Sequence, residues 1–324
     1  MVYRALDNLR CYLHEARLPT MAHRGAVSSD LPPSQVLNVR PERYRKLRLV
    51  HTLDAALFAD FVYDWSEEFI PCESLGVNDE DEDTGERLTV SCEPYFTIHS
   101  LPLARADDNE RVFMWVDMFP LETIRRVLHL LHPESKSWKF EPYEEGPILK
   151  ILTWSQFISN SFGKTETLQH LLGLFILPPW TLSAKDLQDF AEGQSFPDRS
   201  APSAQDLDDS TFLGQEWLWS KIWDACVSTN CPWFIVSTYN HWVFGVFSAG
   251  WTASFVSPVF THHAYAPTIL ELVFFWTISA MGYPGGWVVP EIRTESALHK
   301  QLLTATVVDI SPQDPTEALA LSAF

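Results

Sequence analysis

Trp233-Phe-Ile-Val-Ser-Thr-Tyr-Asn-His-Trp-Val-Phe-Gly-Val-Phe-Ser248 sets two runs of β-branched and aromatic residues on either side of a polar break at Tyr239-Asn240-His241. That pattern predicts a hairpin, and with the residues around it predicts three consecutive strands between Cys231 and Phe260. Thr268 to Met281 is apolar on every side, as a helix buried all round requires. Thr268 and Glu271 have capping-box spacing, Pro267 stands just before them, and Gly282 sits where a left-handed residue would close the helix. Tyr283-Pro-Gly-Gly286 is expected to turn the chain into a short strand, Trp287 to Val289. Ahead of the hairpin, Trp217, Trp219, Ile222 and Trp223 predict an amphipathic helix.

Upstream, the first 70 residues read as mainly helical, broken by a loop through Ser28 to Pro33. Leu47, Val50, Leu53, Leu57, Phe58 and Phe61 recur near a period of 3.6 and predict one apolar helix face. Leu88 to His99 and Arg111 to Met118 read as strands, and Leu121 to Leu131 as a helix ended by Pro133. Two further helices are expected at Ile148 to Ser159 and Thr165 to Ile176, then a short one from Ser183, capped with Asp186, to about Ala191. The expected fold class is α+β, with a mainly helical N-terminal portion carrying a few strands and a C-terminal antiparallel sheet packed against helices. The division expected is a region 1–192 that contains an acidic loop at 76–87, a linker or long loop at 193–209, an α+β domain at 210–310 and a fraying tail at 311–324.

The chain has 324 residues, 46% of them hydrophobic, with 13 Trp and 21 Phe, enough to bury a large aromatic core without staples. Its five cysteines are Cys11, Cys72, Cys92, Cys226 and Cys231, with no C-x-x-C pair, which fits a reducing compartment and supports no zinc site. Arg4, Asp7 and Arg10 with no apolar stretch behind them predict no secretory signal, and the apolar runs near Ile269 are short of the ~20 residues a membrane span needs. The expected location is cytoplasmic or nuclear, with no membrane association.

Net charge is −19, but residues 1–50 carry nine Arg and Lys against four Asp and Glu, a net of +5 that leaves −24 on the rest. So acidic a body repels phosphate backbones, and nucleic-acid binding is expected only through the basic segment, if anywhere. Its cluster is Arg40, Arg43, Arg45, Lys46 and Arg48. These residues read as the solvated face of a helix starting near Pro41, or as a patch for an anionic partner. Asn78-Asp-Glu-Asp-Glu-Asp-Thr-Gly-Glu86 reads as a mobile loop too charged to pack. It fails as a calcium loop, because the glycine comes one place late at Gly85 and Val90 stands where the bidentate acid belongs.

Chemical motifs are scarce. His129 and His132 share a helix end, where the dipole favours imidazole, and no third ligand accompanies them. His262-His263 is expected exposed in a turn. Gly163-Lys164-Thr165 lacks the earlier glycine of a phosphate loop, since position 158 is Ile. No Gly-x-Ser-x-Gly elbow occurs. Metal sites and cofactors are therefore expected to be none. Tyr239, Asn240, His241 and Trp242 are the one place where polar and aromatic side chains converge at a strand end, and any ligand or peptide site in this domain is expected there.

The aromatic hairpin ending in Trp242-Val-Phe-Gly-Val-Phe247, followed by Pro267-Thr-Ile-Leu-Glu271, is similar to a group of fungal proteins with no assigned activity. The resemblance covers the C-terminal third and, more faintly, Tyr95 to Leu131; it implies a shared domain and no catalytic residue. The helix–hairpin–helix order also resembles the later part of restriction-endonuclease-like cores, in which acids hold Mg²⁺ and a Glu-x-Lys orients water. The one Glu-x-Lys here is Glu134-Ser135-Lys136, with Asp117 upstream, but Glu134 follows Pro133 in a polar turn rather than a strand; the enzyme reading gains if Asp117, Glu134 and Lys136, or Glu216 and Asp224, meet in one cleft. The leading expectation is a non-enzymatic interaction or regulatory protein with a protein partner, and the alternative is a divergent metal-dependent nuclease-like enzyme.

Overall fold

The computed structural model describes residues 7–23, 46–96, 98, 103–146, 148–159, 165–192, 194–195 and 214–292. Its strands are β1 (Leu49–Thr52), β2 (Trp138–Glu145), β3 (Lys150–Ser159), β4 (Thr165–Ile176), β5 (Gln194–Ser195), β6 (Trp233–Ser237), β7 (His241–Phe247), β8 (Ala253–Val256) and β9 (Phe260–Thr261). They form one mixed sheet in the order β2-β3-β4-β6-β7-β8-β1-β5, with β9 also on β7. β4 is parallel to β6 and β1 to β8, while the other contacts are antiparallel. The α+β class expected from sequence is present. The sheet, however, is mixed rather than purely antiparallel, and the β4–β6 pairing joins strands from either side of 193–209.

The helices are α1 (Leu9–Glu15), α2 (Ala55–Phe69), α3 (Asn109–Val116), α4 (Glu122–Leu131), α5 (Ala184–Ala191), α6 (Gly214–Thr229) and α7 (Ile269–Ala280), with a π-turn at Asp117–Leu121 between α3 and α4. Side chains alternate across the central strands and feed two cores. Phe175, Phe234, Val236, Val243 and Phe247 pack with Leu187 and Phe190 of α5 and Trp219 and Ile222 of α6. Leu172, Leu174, Trp233, Ile235, Phe244 and Val246 pack on the opposite face with α7.

Every residue of α7 is buried, because the sheet covers one side and α1, α2 and α4 cover others. Thr268 and Glu271 form the predicted capping box. At the far end Gly282 (φ +73°) donates to Ser279 O and Tyr283 N–H to Ile278 O, the Schellman closure that a glycine permits. Trp276 Nε1 donates to the carbonyls of both Phe234 (3.1 Å) and Gly245 (3.2 Å), tying the helix to two paired strands. Gly245 is needed there, since a Cβ would come within 2.1 Å of the Phe234 ring lying over it.

Several expectations from sequence are corrected. Ile148–Ser159 and Thr165–Ile176 are the paired strands β3 and β4, not helices. Ile151 faces one core while Leu152 and Trp154 face the other, so both faces are apolar and the period-2 signal is erased. Arg111–Met118 is helical rather than a strand: Asp108 caps α3 through Arg111 N–H, and Val112, Trp115, Val116 and Phe119 are buried at helical spacing. The described residues of 88–99 form no named strand, although Leu88 and Val90 are buried. The period from Leu47 to Phe61 does not mark one helix. Leu49–Thr52 pairs with β8, and α2 begins only after Asp54, which caps Ala56 and Leu57. Trp287–Val289, expected as a short strand, forms none. The Ser28–Pro33 loop, the helix near Pro41, Gly163, Lys164, most of 193–209 and the 311–324 tail lie outside the described residues.

Phe274 is fully buried and packs its ring on Trp65 at 5.4 Å, so Phe274→Ala is expected to lower unfolding free energy by roughly 3–5 kcal/mol in denaturant titrations. Gly245→Ala is expected to lose about 1–3 kcal/mol through overpacking against Phe234, with the m-value unchanged.

Candidate functional site

The β6–β7 turn lies where β4 and β6 end side by side; Leu177 N–H donates to Ser237 O across the two exits. Carboxyl ends of parallel strands are where open sheets present polar groups to a ligand. The left-handed residue of this turn is Tyr239 (φ +64°), not Asn240. Ser237 Oγ, accepting from Tyr239 N–H at 2.8 Å, and Thr238 Oγ1, accepting from His241 N–H at 3.3 Å, hold that conformation.

The four residues predicted for the site separate into two kinds. Tyr239 and Trp242 have no exposed surface and belong to the core. Trp242 Nε1 donates to Tyr239 O at 2.7 Å, and the Tyr239 hydroxyl donates to Pro19 O at 2.6 Å. Burial drives the Tyr239 phenol far above its ordinary pKa, so it stays protonated as a donor. Asn240 and His241 remain half-buried, and Asn240 Nδ2 donates to His23 Nε2 at 3.1 Å.

Two more imidazoles join them. His262 N–H donates to Asn240 O, and the rings of His262 and His263 meet edge to face at 4.8 Å. His263 is exposed as expected, but His262 is half-buried against Tyr239. Burial, then the neighbouring His263, lowers the pKa of both His241 and His262. At neutral pH His241 and His262 are therefore uncharged imidazoles, able to donate and accept hydrogen bonds. His23, and Trp180 beside it at 6.5 Å, were missed in the sequence. His23 stands 217 positions from Asn240, and no local pattern links them.

Other polar groups are committed elsewhere. Ser155 Oγ contacts His170 Nδ1 at 2.7 Å and Thr153 Oγ1 at 2.9 Å, but Ser155 is fully buried between strands and can reach no substrate. Glu134 accepts from the Tyr283 hydroxyl at 2.8 Å and lies 3.6 Å from His132, while Asp117 sits in the π-turn. Among the described residues no group of three or more His, Cys, Asp or Glu is placed to hold a metal ion. The side chain of Glu216 lies outside the described residues, as do Arg40, Arg43 and Arg45 of the basic cluster; Lys46 and Arg48 are exposed just before β1.

The acidic loop is not the detached excursion its charge suggested. Asp81 folds it by accepting from Asp83 and Thr84 N–H, and Leu88 N–H returns to Asp79 O. The loop then docks on α4, with Arg126 Nη1 2.9 Å from Asp81 Oδ2 and His129 Nδ1 2.7 Å from Glu86 Oε1. His129 Nε2 faces Trp138 O at 3.2 Å, so both ring nitrogens have oxygen partners within the protein. No helix among the described residues is long and apolar enough to cross a membrane. No family model, curated protein or solved structure matches the chain.

Burial alone would raise the Glu86 pKa, but the His129 hydrogen bond and the charges of His129, Arg125 and Arg126 bring it below the ordinary value. A depressed carboxylate stabilises the fold above its unfolded pKa and loses that contribution as pH falls through the folded one. The expected outcome is that Glu86→Gln flattens the acid limb of the melting-temperature profile. An acid limb identical to wild type would show that the loop is not held through this carboxylate.

Proposed function

We propose that this chain is a non-enzymatic interaction or regulatory protein, working in the cytosol or nucleus through a protein partner. The observation that supports it most directly is the apolar surface where α2 meets the segment after α7. Leu57 is 71% exposed, Phe61 one turn later is 42% exposed, and Val288 is 82% exposed. Phe61 packs on Trp287 at 5.6 Å, and Val288 is the next residue in the chain. Exposed large side chains that adjoin one another, rather than scattered singly, are characteristic of contact surfaces. In the same molecule Ser155 is bonded to His170 and Glu86 to His129 within the fold, and Glu134 to Tyr283 at its surface. The basic cluster 40–48 adds a second, salt-sensitive element through charges opposite to those of the acidic body.

The test is capture of partners from native extract by wild type, by Leu57→Asp/Val288→Asp, and by Arg43→Glu/Arg45→Glu/Lys46→Glu. Both exposed apolar positions should tolerate Asp within about 0.5 kcal/mol, so melting temperature serves as the folding control. Loss of a stoichiometric partner in the first variant, with a salt-dependent weakening in the second, is the expected outcome. Capture that neither variant alters would remove the reading, as would a turnover activity in the purified chain that survives both.

A further inference from the structure

The segment Asp7–His23 crosses the molecule from one end of α7 to the β6–β7 mouth; Asp7, Asn8, Arg10 and Tyr12 bond Val77, Cys72, Ile70 and Val90, and two further groups of attachments lie at its middle and its end. At its middle, Thr268 Oγ1 donates to Leu13 O at 2.6 Å, and His14 Nδ1 lies against Glu271 Oε1 at the N-terminus of α7. At its end, Pro19 O receives the Tyr239 hydroxyl, His23 receives Asn240, and Ala22 O receives Ala106 N–H. Leu9, Tyr12, Leu13, Leu18 and Met21 are buried beneath it.

We propose that Asp7–His23 is a strap closed over the β6–β7 mouth by a proton-dependent latch between His14 and Glu271. Glu271 is 2% exposed and its other carboxylate oxygen, Oε2, accepts from Thr268 N–H in the capping box at 2.9 Å. A carboxylate this enclosed needs a charged donor on its open side, and His14 is the residue that supplies it. α2 contributes to the same imidazole through Glu67 Oε1 at 3.6 Å, Ser66 Oγ at 3.5 Å and the Tyr63 ring at 5.6 Å. On α1 itself, Arg10 holds the other Glu67 oxygen at 2.9 Å and competes for its charge.

The Glu271 hydrogen bond, against the opposing effect of burial and helped by the charges of Glu271 and Glu67, raises the His14 pKa above its ordinary 6.5. A raised histidine contributes stability that is complete below the unfolded pKa and lost as pH rises through the folded one. The latch is thus closed below the ordinary histidine pKa and weakened as pH rises through the raised one. Releasing it removes the tie between α1 and α7, so that α1 and the cover over Tyr239 and Asn240 loosen within the bonds that Asn8, Arg10 and Tyr12 keep to Cys72, Ile70 and Val90. The mouth's own histidines, His241 and His262, shift in the opposite direction.

The experiment reads His14 by NMR titration of its ring and follows amide-exchange protection of Leu9–Glu15, normalised to α7, at about pH 5.5 and about pH 9. Expected are a His14 pKa above 6.5 and α1 protection lower at the higher pH, by roughly tenfold for each unit of that rise. In Glu271→Gln, which keeps an oxygen acceptor for Thr268, the His14 pKa should fall and the pH response should vanish. A His14 pKa at or below 6.5 in wild type, or α1 protection independent of pH, would overturn the proposal without recourse to any variant.

Discussion

A helix that is apolar on every side must be covered on every side, and in this fold α7 imposes that requirement on everything around it. The sheet supplies one wall and the N-terminal helices the others, so residues separated by more than two hundred positions share one core. The indole of Trp276 adds direction to an otherwise non-directional contact, because its N–H reaches two strand carbonyls at once. Glycine at 245 and the Phe234 ring across from it complete the fit.

Legibility in the sequence followed how many faces of an element are wet. α5, with its Ser183 cap and one apolar side, and α7, with its capping box and Gly282, have strong local signals and appear where predicted. β3 and β4 are buried on both faces, which turns alternation into an apolar run that a helical period fits equally well. β1 shows a different limit: its parallel pairing with β8, about 200 residues away, decides its conformation, and no reading of Leu49–Thr52 alone contains that partner.

The candidate site was half legible for a related reason. A polar break between two aromatic strands does mark the end of the sheet, yet which side chains remain available depends on what covers the turn. Pro19 and His23 come from a segment with no motif, and they remove the Tyr239 hydroxyl from solvent and engage Asn240. The acidic run misled in the same way. Its composition suits a solvated loop, but the complementary cations, Arg126 and His129, stand on a helix more than forty residues downstream.

Apolar packing and electrostatic ties thus have different territories in this molecule. The sheet and α7 are held by burial that pH hardly changes, whereas the acidic loop and the N-terminal segment are also held at their edges by carboxylates paired with Arg126, His129 and His14. Local opening is governed by the weakest attachments of a segment rather than by global stability. Protonation therefore acts on the charged edges of these segments, whereas Leu9, Tyr12, Leu13, Leu18 and Met21 keep the N-terminal one seated in the core beside α7.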